Sequence, residues 1–182
     1  MAVCYVNDVL GISMNTKGLM QVIEKDFVFK KDKFEQPKMY LGAYLEKKFP
    51  NGNDIWTMCS KDYNKLVIVN VESQLTQKGM KLPSKATIPM NSEYSPEVDV
   101  SDELDSEDIT FYQQIIGMIR WAIEILRVDI NREVSLLSSC QAAPRVGHLE
   151  QPLHMLAFLK KKRKFTLYFD SSDAIIDEAM FV

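Results

Sequence analysis

The chain reads as an α+β protein whose β-structure comes first and whose helices follow. Three observations predict this. Short apolar or alternating runs bounded by turn residues fill the first 60 residues. Apolar residues recur at helical spacing through much of 108–162. A Pro-containing acidic stretch at 81–107 separates the two patterns.

"AVCYVNDVLGIS" at 2–13 predicts a tight hairpin with Asn7-Asp8 as the turn, since Asn and Asp tolerate left-handed backbone. Asn15 or Thr16 then caps a helix over 17–27 with Leu19, Met20, Ile23 and Phe27 as its apolar stripe. "KMYLGAYLEKKFPNGNDIWTMCS" predicts a hairpin. One strand alternates from Met39 to Glu46, "PNGN" turns, and Ile55–Cys59 returns. Ser60 or Asp62 caps a helix that stops at Gly79, with Tyr63, Leu66, Val67, Val71 and Leu75 near one face. Residues 81–107 hold Pro83, Pro89 and Pro96, and an acidic run from Glu93 to Asp108 predicts a loosely packed linker. Helices follow at 108–126, 129–142 (ended by Pro144) and 146–162, joined by short connections that imply antiparallel neighbours. "KFTLYF" reads as a strand, and an acidic tail closes the chain. No internal repeat is present.

Composition narrows the function classes. The 182 residues are 46% hydrophobic and 26% charged, as in globular proteins. A net charge of -3 supplies no overall attraction to nucleic acid, so any such attraction requires a local patch. Cys4, Cys59 and Cys140 are too scattered for a zinc ribbon or a disulfide scaffold, which points to a reducing, intracellular setting, cytoplasmic or nuclear. No secretory leader is read after Met1, and no apolar run reaches the roughly 20 residues that span a bilayer. A strand immediately at Met1 predicts that the chain starts part-way through a larger fold. His148 and His154 lie six apart, off metal-ligand spacing on one helix face, and read as capping or packing residues. Phosphate-loop, dinucleotide and nucleophile-elbow motifs are missing.

Two features carry possible chemistry. "KKKRK" at Lys160, Lys161, Lys162, Arg163 and Lys164 suits a helix C-terminus best, where cations complement the dipole, with phosphate contacts as the second reading. Asp8 is either an ordinary turn residue or a ligand for a hard cation, since Mg²⁺ takes carboxylate oxygens and substrate phosphates.

The ordered series "YVND", "VIEKDFVFK", "MYLGAYLEKK", "WTMCSKDYNKLVIVNVESQL", "KLPSKATIPM" and "FYQQIIGMIRWAIEILRVDINREVSLLSSCQAAPRVGHLEQPLHMLAFLKKK" resembles the reverse transcriptases of Ty1/copia-type retrotransposons over residues 3–164. The resemblance implies a partial polymerase palm followed by a mostly helical thumb and connection. Residues 1–60 would hold the catalytic and primer-gripping hairpins, 61–80 the first thumb-like helix and 81–107 a linker. Residues 108–164 would be helical thumb and connection, and 165–182 the approach to a ribonuclease H domain. The family extends DNA by two-metal phosphoryl transfer, with Mg²⁺ held by carboxylates. Asp8 would match the second Asp of the Tyr-x-Asp-Asp motif and act as a metal ligand, while Asn7 stands where the first Asp belongs. Asn offers a neutral oxygen there, so weak metal binding is expected. Tyr40, Leu41 and Gly42, with Lys160–Lys164, would contact an RNA/DNA template-primer. The fingers, the rest of the palm and the ribonuclease H domain would be the chain's polyprotein partners, and they carry the remaining carboxylate. The resemblance thus implies a polymerase fragment inactive by itself. Its alternatives are a nucleic-acid-binding thumb-like module or a non-functional relic.

Overall fold

The computed structural model describes residues 2–6, 8–28, 35–49 and 55–169. β1 (Ala2–Tyr5) pairs antiparallel with β2 (Asp8–Gly11) as a separate two-stranded sheet. Tyr5 faces Asp8 in register, so the turn lies between them and Asp8 is the first residue of β2. The expected Asn7-Asp8 turn is therefore shifted by one residue. Val6 enters the turn at φ 52°, and Asn7 lies outside the described residues. α1 (Thr16–Glu24) follows, with the Asn15 side-chain oxygen accepting from the Gly18 N–H at 3.0 Å. The helix ends before Phe27, which is exposed rather than part of an apolar stripe. Met20 is buried, and Leu19 and Met20 approach Gly11 of β2.

The stretch read as one strand over Met39–Glu46 folds back on itself. β3 (Met39–Tyr40) and β4 (Ala43–Lys48) pair antiparallel, with Tyr40 opposite Ala43. Leu41 (φ 51°) and Gly42 (φ 88°) form the two-residue turn. Two successive positive φ values suit the right-handed twist of a hairpin. Gly adopts this freely, while a Leu costs about 1–2 kcal/mol there. Leu41 is held by packing against a cluster of Ala43, Ile125 and Leu126. β4 pairs with β5 (Ile55–Cys59), and "PNGN" between them lies outside the described residues. β6 (Thr166–Phe169) joins the far edge of β5, which gives a four-stranded antiparallel sheet in the order β3-β4-β5-β6.

The helices build the main core. α2 (Lys61–Gln77) buries Val67, Ile68, Val71 and Leu75 and ends at Gly79, φ 70°. Leu66, expected near the same face, is 66% exposed. α3 (Ser106–Glu124) is capped by Asp105, whose carboxylate accepts from the Asp108 N–H at 2.8 Å. A 3₁₀ turn at Val128–Ile130 leads into α4 (Asn131–Ser138), and α5 (Val146–Lys161) completes the bundle. Ile115, Ile116, Ile119, Val134, Leu137, Met155, Leu156 and Leu159 form one cluster with the buried residues of α2. The region 108–162 thus shares its core with α2. The Tyr112 hydroxyl crosses that core to the Leu137 carbonyl at 2.6 Å.

The acidic segment is better anchored than its composition suggests. Ala86 and Pro96 are buried. The Val146 N–H donates to the Asp102 carbonyl at 3.0 Å, and the Leu104 N–H to the Pro144 carbonyl at 3.3 Å. Asp99 collects the Ser101 N–H at 2.8 Å and the hydroxyls of Ser101 and Tyr94. The Ser101 hydroxyl in turn accepts from the Gly147 N–H at 2.9 Å, at the start of α5. Polar residues that would solvate a free loop are spent on backbone groups, so low hydrophobicity did not prevent ordering.

Candidate functional site

The two hairpins named by the resemblance are neighbours. Burial pushes the Tyr40 phenol above its usual pKa, and the charge of Asp8 and the thiol of Cys4 push it further. The Tyr40 hydroxyl is buried and without a hydrogen-bond partner among the described residues. Asp8 is exposed and forms no ion pair among the described residues. From the same side of the molecule, Tyr5 of β1 tilts against Trp121 of α3 with ring centroids 5.8 Å apart. The structure thus puts Asp8 within electrostatic range of Tyr40, at the start of the Leu41-Gly42 turn.

Mg²⁺, the ion implied by the resemblance, is held by carboxylates and substrate phosphate. At this hairpin the described residues offer Asp8. Among them, no three Asp, Glu, His or Cys side chains gather as a metal site. One exposed carboxylate does not fit a two-ion centre.

The basic cluster does not act as one patch. The Lys160 ammonium pairs with Glu72 of α2 at 2.5 Å, which ties α5 to α2. The Lys162 carbonyl accepts from the Arg127 guanidinium at 2.9 Å. Arg127 is fully buried, grips Asp129 through two bonds of 2.8 Å, and lies over the rings of Phe158 and Phe165. Arg163 folds back to the Lys160 carbonyl at 2.9 Å. Much of this cluster finishes the C-terminus of α5, as expected where orphan carbonyls need donors. Lys164 departs from that pattern and lines a shallow groove with Tyr44, Glu46, Lys48, Thr57, Cys59, Lys61 and Thr166.

That groove escaped the reading of the sequence. Tyr44, Glu46 and Lys48 alternate along β4 and so share one face, which was legible. The contribution of β6 and of Lys164 depends on pairing between residues more than 100 positions apart, which no local pattern encodes.

The histidines are structural. His148 Nδ1 accepts from the Arg145 N–H at 2.9 Å. Its other nitrogen is 3.0 Å from the Pro96 carbonyl, which requires Nε2 to carry the proton. His154 contacts the Ile88 carbonyl at 3.1 Å. No helix among the described residues is long and apolar enough to cross a membrane.

Comparison with known proteins gives one similarity. A protein of Saccharomyces cerevisiae named "Putative transposon Ty5-1 protein YCL074W" is 36% identical over 69 residues. The aligned stretch covers 38% of this chain and 22% of the yeast protein. No family model matches the chain, and no solved structure does.

Proposed function

We propose that the chain is retrotransposon-derived, descends from the later part of a copia-type reverse transcriptase, and does not polymerise DNA by itself. The observation that carries the reading is the 36% identity to a transposon protein over 69 residues. The influence of the Asp8 charge on Tyr40 agrees with two hairpins that once served one site. The lone carboxylate at β2 is the reason for expecting inactivity, since two-metal transfer needs several anionic oxygens around a pair of Mg²⁺ ions.

Primer extension on an RNA template with Mg²⁺ or Mn²⁺ tests the catalytic half of this reading. The 182-residue chain should give no template-dependent incorporation, and robust incorporation would overturn it. The genomic DNA immediately upstream tests the ancestry. In-frame sequence for fingers and palm identifies a fragment of a larger enzyme, and a stop codon or frameshift identifies a relic. Upstream DNA with no trace of either sequence would sink the descent.

The exposed cations at the C-terminal end of α5 favour a second reading, a non-enzymatic module that grips a template-primer. Neutralising Lys161, Lys162 and Arg163 should then flatten the salt dependence of duplex binding.

A further inference from the structure

The outer face of the four-stranded sheet carries cations that the fold has not neutralised. Some cations elsewhere are held in ion pairs. Lys160 meets Glu72, and Lys78 meets Glu107 and Asp108 at 3.0 and 2.5 Å. On the sheet face, Lys48 reaches Glu46 only at 3.6 Å, and Lys61 and Lys164 have no carboxylate partner among the described residues. Three ammoniums therefore surround one carboxylate in a groove of about 140 Å³.

The register explains why these groups meet. Tyr44 lies opposite Cys59, and Cys59 opposite Thr166. One step along, Glu46 lies opposite Thr57, and Thr57 opposite Tyr168. Cross-strand partners share a face, so Tyr44, Glu46, Lys48 and Tyr168 all look outward together. On the opposite face Ala43 is buried and Met58 and Leu167 are half-buried against Ile125 and Leu126. Lys61 is the first residue of α2, at the positive end of the helix, where the dipole favours an anion over a cation. Asp62 in the same first turn answers part of that charge, and a bound anion would answer more.

Two aromatic rings stand among these cations. Tyr44 is 39% exposed with the Lys61 ammonium 5.5 Å from its ring centre. Tyr168 is 63% exposed with the Lys48 ammonium 5.9 Å from its ring centre. Strand spacing and rise put the two positions about 12 Å apart on the diagonal. Exposed rings interleaved with lysines, two of which have no carboxylate partner among the described residues, suit on an open sheet a ligand with both phosphates and unstacked bases. A duplex hides its base faces, and a simple anion makes no use of the rings.

We infer that this sheet face binds single-stranded nucleic acid, with Lys48, Lys61 and Lys164 on phosphates and Tyr44 and Tyr168 under bases. This narrows the nucleic-acid partner of the reading above and rests on that reading only for the expectation that nucleic acid is met at all.

The test is fluorescence anisotropy of the full chain with a labelled oligo(dT) and with a blunt duplex of equal length, between 50 and 200 mM salt. The single strand should bind more tightly than the duplex. Tyr168→Ala should weaken it about 5- to 150-fold, while Tyr168→Phe, which keeps the ring, should not. Lys48→Gln with Lys61→Gln should reduce the salt slope by about 1.4. Equal or tighter duplex binding overturns the inference. So does binding that survives Tyr168→Ala but is lost on neutralising Lys161, Lys162 and Arg163. The ancestry is decided separately, by the upstream DNA, so the two failures are distinguishable.

Discussion

Asp99 shows how a single residue organises a segment. Burial raises its pKa, but the hydrogen bonds from Ser101 and Tyr94 outweigh burial and draw the carboxyl down to about 2. Burial, then the bond to Asp99, pushes the Tyr94 phenol well above its usual range. A carboxylate whose folded pKa lies below its unfolded value of about 3.9 stabilises the fold above that value and stops doing so as pH falls towards 2. The urea midpoint should therefore drop between pH 4 and pH 2, and Asp99→Asn should shrink the drop. Gly147 belongs to the same network. A Cβ there would overlap the Asp99 carboxylate, whereas a Cβ at Gly117, mid-way along α3, meets nothing within 4 Å. Ala in place of Gly inside a helix ordinarily stabilises by about 1 kcal/mol. Gly117→Ala should raise the urea midpoint accordingly, and Gly147→Ala should lower it.

At the scale of the element, α2 is the instructive helix. Its apolar residues are spaced so that Leu66, Val67, Val71 and Leu75 all read as core candidates, yet only the last three are buried. Leu75 is fully buried in the cluster shared with α3 and α5, while Leu66 faces water. Leu75→Ala should cost about 2–5 kcal/mol in denaturant unfolding. Leu66→Ala should stay within about 0.5 kcal/mol, and a large loss there would contradict the burial assigned to α2. The β3–β4 turn shows the opposite problem. Alternation from Met39 onwards was sound local evidence for one strand, but Leu41 takes a left-handed conformation that its own propensity disfavours. Contacts of Leu41 with the Ile125–Leu126 corner make up the difference.

Across the whole molecule, stability is uneven. α2, α3, α4 and α5 share one large cluster, and β3–β6 lean on its end through Ile125 and Leu126. β1 and β2 form a sheet of two strands, with Val3, Tyr5 and Val6 exposed at 42%, 48% and 80%. A two-stranded sheet is marginal in water, and exposed apolar strands invite pairing with other chains. Amide hydrogen exchange should place β1 and β2 among the fastest-exchanging segments and the buried turns of α2, α3 and α5 among the slowest. Slow exchange at Val3 and Leu10 would show that the hairpin is stabilised by contacts beyond these.

What the sequence determined by itself was local: the α+β order, the hairpin at the start, the helices from 61 onward and the capping residue Asn15. Each depends on neighbours within one turn or one hairpin, so periodicity and turn chemistry suffice. Of the candidate site, Asp8, Tyr40 and the basic cluster could be named from the sequence. The influence of the Asp8 charge on Tyr40, the capping of α5 by Arg127, and the meeting of Lys48, Lys61 and Lys164 on one face came from tertiary structure alone. Lys164 reaches the groove because β6 closes on β5 across more than 100 residues. Such pairings are set by which apolar faces must be buried together, a property of the folded whole and of no single stretch of chain.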